Sequence, residues 1–173
     1  MHLLLVRICL LYLVPINDKY IESIKRGTSM RYKTVISGLA RTPMGGMQGA
    51  LSPLSASNLG AYAVRGALER AGAASDKVDE VIMGCVLPAG QGQAPARQAA
   101  VGAEIPVSVP ATTINKMCGS GMKAVMMAHD SIGSENNELV VAGGMESMTN
   151  APHAINFLNE KKLKETNLID TMI

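Results

Sequence analysis

The chain has 173 residues, 47% of them hydrophobic, and a formal net charge of +2. That length holds one domain with a core of its own, and so small a charge gives no electrostatic reason to expect a nucleic-acid partner. The three cysteines make no disulfide framework, no metal-ligand spacing occurs, and with one Phe and no Trp the core must be filled by aliphatic residues and methionine.

Residues 3–14 are apolar except Arg7. The run is like a short signal-peptide core, but it is too short to span a bilayer and no small-residue cleavage site follows it. No membrane partner is expected. Residues 33–40 read as a first strand. Residues 55–71 read as a helix with Leu59, Tyr62, Ala63, Gly66 and Ala67 on one face and Gly72 as its stop. Val78–Val86 is a continuous apolar run with Asp79 and Glu80 at its opening, the pattern of a strand covered on both faces. Pro95 suits the first turn of a short helix through Ala103.

Val109, Ala111, Thr112, Thr113 and Ile114 form a further strand that ends at Asn115. Met122, Val125, Met126, His129 and Ile132 then recur at helical spacing and predict an amphipathic helix. A last strand covers Leu139–Ala142. Strands alternating with helices predict an α/β fold, a mostly parallel sheet with helices on both faces. Lys161, Lys162 and Lys164, set among Glu160 and Glu165, read as a solvated helix face.

Cys118 is the candidate catalytic residue. It stands between a strand and a glycine-opened helix, where unpaired N–H groups and the helix dipole favour a negative sulfur. Gly119 and Gly121 have no Cβ, so a reactant has room to approach. Two other readings compete on the residues alone. A free cysteine is commonly a small buried hydrophobe. Gly119-Ser120-Gly121-Met122-Lys123-Ala124 also fits the G-x-G-x-x-A phosphate fingerprint of dinucleotide folds. That fingerprint wants an acidic residue closing the next strand, whereas Glu138 opens it and Glu146 lies beyond Gly143-Gly144. Cys85 sits in a buried-strand pattern and Cys9 in the apolar leader, so neither is a catalytic candidate. His129 lies eleven residues along the helix from Cys118, roughly 16 Å at helical rise, out of proton-transfer reach.

From Arg31 to Ile173 the sequence resembles the N-terminal part of the thiolases, the acetyl-CoA acetyltransferase family. The matching stretches stand in family order: Ser37-Gly38-Leu39-Ala40-Arg41-Thr42-Pro43-Met44-Gly45 with Gly49-Ala50-Leu51; Val81-Ile82-Met83-Gly84-Cys85-Val86; Gly90 to Gln98; the segment around Cys118; and Val140 to Met148 with Ala151-Pro152-His153. The resemblance implies a thiolase-like half-domain over residues 30–150, preceded by an atypical extension of 1–29 and followed, at 151–173, by the start of a loop region. Family members begin close to Met30, so residues 1–29 are read as an added segment, with a targeting peptide as the other reading. A fifth strand is expected after that loop region, beyond Ile173, so one sheet edge should be open.

The implied chemistry is a Claisen condensation of acyl-CoA molecules or its reverse, thiolysis of a 3-oxoacyl-CoA, with the Gly90–Gln98 stretch leaning toward the acetoacetyl-CoA type. Cys118 would attack the thioester carbonyl and carry the acyl group, its own N–H donating to the oxyanion. His153 matches a position near the acyl-CoA pocket and is a candidate substrate contact. No cofactor is implied, only coenzyme A thioesters as substrates. The complete enzyme is expected to be a cytoplasmic homo-oligomer. The base histidine and second cysteine of the family belong to its second half. After Cys118 this sequence holds no cysteine, and its histidines there are His129 and His153. The chain alone is therefore expected to be incomplete and inactive. The alternative is an inert fragment, or an interaction module that pairs with a full-length thiolase through its sheet edge.

Overall fold

The computed structural model describes residues 8–15, 32–155 and 168–172. Among these, one mixed sheet of five strands carries the domain: β1 (Ile8–Pro15), β2 (Tyr32–Ala40), β3 (Glu80–Gly84), β4 (Ala111–Ile114) and β5 (Leu139–Gly144). Their spatial order is β2-β1-β5-β3-β4. β3 pairs parallel with both β4 and β5, while β1 is antiparallel to both of its neighbours. The four strands read from the sequence are all present. The fifth comes from the N-terminal segment and lies inside the sheet, and β2 and β4 are the outer strands. The N-terminal strand is additional to the four expected. In β2, Ser37 is skipped in the pairing with β1, a bulge opposite the Leu10–Leu11 step.

Among the described residues, three helices cover the sheet. α1 (Ala56–Ala71) begins at a capping box in which the Ser55 hydroxyl accepts from the Asn58 N–H and the Asn58 side chain accepts from the Ser55 N–H. It ends at Gly72, whose φ of 62° is the left-handed conformation glycine adopts without strain. α2 (Pro95–Gly102) has proline at its first turn as expected. α3 (Ser120–Gly133) follows the Cys118 turn. Residues alternate along the strands. Val81, Met83, Leu139 and Val141 join the core under α1 and α2, whereas Ile82, Val140 and Ala142 face α3. Each aliphatic chain fully buried there is worth about 1.5–3 kcal/mol relative to exposure.

Two expected helix faces are corrected. In α1, Leu59, Ala63 and Ala67 are buried, but Tyr62 is exposed and lies under the Arg65 guanidinium, 5.0 Å from its ring centroid. In α3 the buried residues are Ser120, Ala124, Ala128 and Ile132, while Met122, Met126 and His129 face solvent. An i, i+4 ridge of small residues lets the helix axis lie close to β3 and β5. A methionine face of similar spacing would hold it farther off. The apolar run Val78–Val86 narrows to Glu80–Gly84 as strand. Asp79 instead accepts hydrogen bonds from the Glu138 and Leu139 N–H groups, each at 2.8 Å, at the start of β5.

A short pair, β6 (His153–Ala154) with β7 (Ile169–Asp170), stands apart from the main sheet. The mixed-charge segment at Glu160–Glu165 lies outside the described residues.

The ridge is testable. Ala128→Leu should destabilise the chain by about 1–3 kcal/mol through overpacking, whereas Met126→Ala should stay within about 0.5 kcal/mol. Urea unfolding followed by circular dichroism measures both.

Candidate active site

Cys118 lies at the C-terminal ends of β3, β4 and β5, in the turn that joins β4 to α3. β4 stops at Ile114. Asn115 then forms an Asx-type turn, its side-chain oxygen accepting the Met117 N–H at 2.9 Å while its amide donates to the Val86 carbonyl at 3.2 Å. Met117 is left-handed, with φ of 47°. For a residue with a Cβ this costs on the order of 1–2 kcal/mol. Buried Ser120 offsets that cost: its hydroxyl donates to the Met117 carbonyl at 2.6 Å and accepts from the Lys116 N–H at 2.8 Å. The pinned turn leaves the Cys118 thiol free and exposed.

The helix begins at Ser120 with Gly119 as its N-cap, so Cys118 stands one residue outside the cap. The Gly119 and Ser120 N–H groups close the turn on the Lys116 and Met117 carbonyls, at 3.1 and 3.0 Å. These two donors, nearest to Cys118 in the helix start, are thus used internally.

Glycines decide how close the turn comes to the sheet. A Cβ on Gly84 would lie 2.6 Å from the Ser120 Cβ and 2.8 Å from the Gly121 nitrogen, and one on Gly144 would lie 3.2 Å from the Gly121 Cα. The turn therefore sits on the bare backbone at the ends of β3 and β5. The Met145 N–H donates to the Gly84 carbonyl and the Cys85 N–H to the Ile114 carbonyl, which extends the strand ends toward the site.

Beside this turn, the loop leaving β3 is held by Glu146. Its carboxylate accepts from the Val86 N–H at 2.7 Å, the Leu87 N–H at 3.1 Å and the Cys85 thiol at 3.6 Å. The carboxylate is thus engaged by backbone, and the acidic ribose partner that a dinucleotide fingerprint wants is not available from it. Gln91 donates to the Leu87 carbonyl at 2.7 Å, and Gln98 donates to the Gln91 and Gln93 carbonyls, so the Gly90–Gln98 stretch is internally bonded. Its end is tied to the strand before Cys118, because the Ala96 N–H donates to the Thr113 hydroxyl at 2.9 Å.

The two described thiols differ sharply. Cys85 is buried; burial first, and then the Glu146 carboxylate beside it, pushes its pKa up to about 12. It stays a neutral donor, as its strand pattern implies. His129 is exposed on α3. His153 is exposed on β6 opposite Asp170 and makes no hydrogen bond to the Cys118 turn among the described residues. Sequence reading passed over Asn115, Ser120, Gly84 and Glu146 as parts of this site. An asparagine directly after a strand is a legible turn signal; the other three depend on contacts distant in sequence.

Comparison with known proteins agrees with this geometry. The profile described as "Thiolase, N-terminal domain" matches residues 34–173. The chain belongs to the thiolase family. It is 54% identical over 123 residues to acetyl-CoA acetyltransferase B, mitochondrial, of Xenopus laevis, covering 71% of this chain and 29% of that one. It is 48% identical over 138 residues to the mitochondrial acetyl-CoA acetyltransferase of Homo sapiens, covering 80% and 32%. With the acetyl-CoA acetyltransferase of Cupriavidus necator it shares 51% over 140 residues, covering 80% and 36%. Among solved structures, a thiolase of Ascaris suum in complex with coenzyme A superposes with a TM-score of 0.75 at 38% identity, over 79% of this chain and 35% of that one. The chain thus spans about a third of the length of these thiolases. Relatives named as mitochondrial overturn the cytoplasmic expectation.

Two variants test the site. Gly84→Ala should force Ser120 and Gly121 off the sheet, slow or accelerate alkylation of Cys118 by severalfold, and destabilise the chain by about 1–3 kcal/mol. A rate and stability both unchanged would mean that the close approach is not needed. For Cys85 the sign follows from linkage. The folded pKa is raised, so its contribution to stability is intact below the ordinary thiol value of 9.0 and declines as pH rises from there toward about 12. Cys85→Ala should therefore flatten the alkaline fall of the urea midpoint that begins near pH 9 and runs toward about pH 12.

Proposed function

We propose that this chain carries the nucleophile-bearing part of a thiolase-type acyltransferase acting on acyl-CoA thioesters, with Cys118 as the acyl acceptor. The observation that carries this reading is the exposed Cys118 on a pinned, strained turn at the strand ends, within the segment that matches the family. Such a turn positions the sulfur without a long flexible side chain to order, which favours attack on a bound carbonyl. In the step proposed, the Cys118 sulfur forms a bond to the thioester carbonyl carbon and the carbon to coenzyme A sulfur bond breaks. The acyl group stays on Cys118, and the proton lost by its thiol ends on the departing coenzyme A sulfur. His153 is proposed as a contact to the acyl-CoA, on the strength of its family position.

Completing a Claisen condensation or thiolysis requires a base for the Cys118 proton and a group that moves the proton at C2 of the second acyl unit. Neither role has a residue near Cys118 among those described. The complete enzyme is proposed to supply them from the remainder of the thiolase, as a homo-oligomer with a place in lipid metabolism, without a bound cofactor.

The chain by itself should form the covalent adduct slowly and should not turn over. Incubation with a thiol-directed acyl-CoA analogue, followed by peptide mass spectrometry, should place the label on Cys118 and leave Cys85 unmodified. Cys118→Ser should abolish it, and free coenzyme A should protect. Labelling that ignores coenzyme A, or that survives Cys118→Ser, would remove the acyl-acceptor assignment. Mixing with a complementary C-terminal portion of a thiolase should restore thiolysis measured at the thioester absorbance.

A further inference from the structure

β1 occupies an unusual place. The family match begins at residue 34, so Ile8–Pro15 lies outside it. Yet this segment is not appended at an edge; it lies within the sheet, facing β2 along Ile8–Pro15 and β5 along Ile8–Tyr12. β2 and β5 run in the same direction, because each is antiparallel to β1. Without β1 they would stand two strand spacings apart, roughly 9.5 Å, too far for backbone hydrogen bonds between them. Both would then present unpaired N–H and C=O groups to the gap.

The sequence of the segment suits that gap. Ile8-Cys9-Leu10-Leu11-Tyr12-Leu13-Val14-Pro15 carries no charge, the composition required of a strand with helices on both faces. α1 packs across β1 from one side of the sheet and α3 from the other. Pro15, which has no N–H to donate, falls past Tyr12, where β5 no longer pairs and only β2 remains beside the strand.

We infer that the cleft between β2 and β5 is a strand-acceptor site, and that this chain fills it with its own Ile8–Pro15 segment as an intramolecular complement. The site takes an uncharged apolar strand in the antiparallel sense, by the backbone pairing of β-augmentation but on both of its edges. The insert joins β2 and α1 to the strands that hold the Cys118 turn. Residues 8–15 are on this account an integral strand of the domain. The inference is independent of the acyl-transfer reading.

Cys9 provides the test in the full chain, because its Cα is opposite that of Leu39. Opposed residues on antiparallel strands lie within disulfide range. Mild oxidation of Leu39→Cys should give a Cys9 to position 39 disulfide within one monomeric chain. Ile36→Cys, whose register partner is Leu11, should cross-link to Cys9 at least about tenfold less. Tyr12→Pro removes an N–H where both neighbours pair, so amide exchange along β2 should speed up, and a synthetic peptide of residues 8–15 in excess should bring protection back. The proposal is overturned if Cys9 fails to link to position 39, or links only between two chains, which would make a second copy the occupant. It is equally overturned if Tyr12→Pro leaves β2 protected, or if the peptide in excess restores nothing. None of these readouts involves thioester chemistry, so they stand or fall separately from the role of Cys118.

Discussion

Contact of backbone with backbone at the C-terminal ends of β3 and β5 is the constraint on which the rest of the site depends. Gly84 and Gly144 end these strands without side chains, and Ser120 and Gly121 of the following helix settle directly onto them. Close approach of this kind leaves no room for water and no slack, so the start of α3 is held by the sheet itself. The ridge of small residues Ser120, Ala124 and Ala128, with Ile132 after them, continues the same contact along the helix. A turn anchored in this way tolerates the left-handed Met117, because the hydroxyl of Ser120 and the side chain of Asn115 satisfy the backbone groups that the turn would otherwise strand. The thiol of Cys118 is what the arrangement leaves exposed.

Glu146 sets the second boundary of the site. It follows the end of β5 and reaches across to the loop that leaves β3, where two backbone N–H groups and the Cys85 thiol donate to it. A carboxylate so bonded fixes the loop relative to the Cys118 turn, which Asn115 also holds through the Val86 carbonyl. Burial, and after it this carboxylate, keeps Cys85 protonated. The described residues therefore include two thiols of opposite character. One is buried against an acid and inert; the other is exposed on a strained turn. Burial and a neighbouring charge separate them, not any difference in the residue itself.

Much of the fold was legible in the chain. The helical pattern over residues 55–71 and the stop at Gly72 bound α1 closely, Pro95 marked the start of α2, and the apolar runs around Ile82 and Val141 located two central strands. These signals are local: a cap, a fixed φ or a period of two is decided within a few residues. The buried face of α3 was not legible, because Met122, Val125 and Met126 present a more hydrophobic stripe than Ala124 and Ala128. Hydrophobicity alone chose the wrong side; the close spacing demanded by Gly84 and Gly144 chose the small residues. The position of Cys118 between strand and helix was legible too. Ser120, Gly84 and Glu146 were not, since their importance lies in partners elsewhere in the chain.

By itself the sequence determined the alternation of strands and helices, the placement of Cys118 at a helix start, the inert setting of Cys85 and the likeness to thiolases, all carried by short-range patterns and ordered motifs. Only the tertiary structure decided which helix face is buried, how the Cys118 turn is braced, and where the apolar segment at Ile8–Pro15 belongs. An uncharged run reads alike as a leader, a core helix or a strand, because its composition states only that it avoids water. Its place between β2 and β5 is decided by backbone groups on two strands that are distant in sequence and face one gap, a constraint that comes into being when the chain has folded.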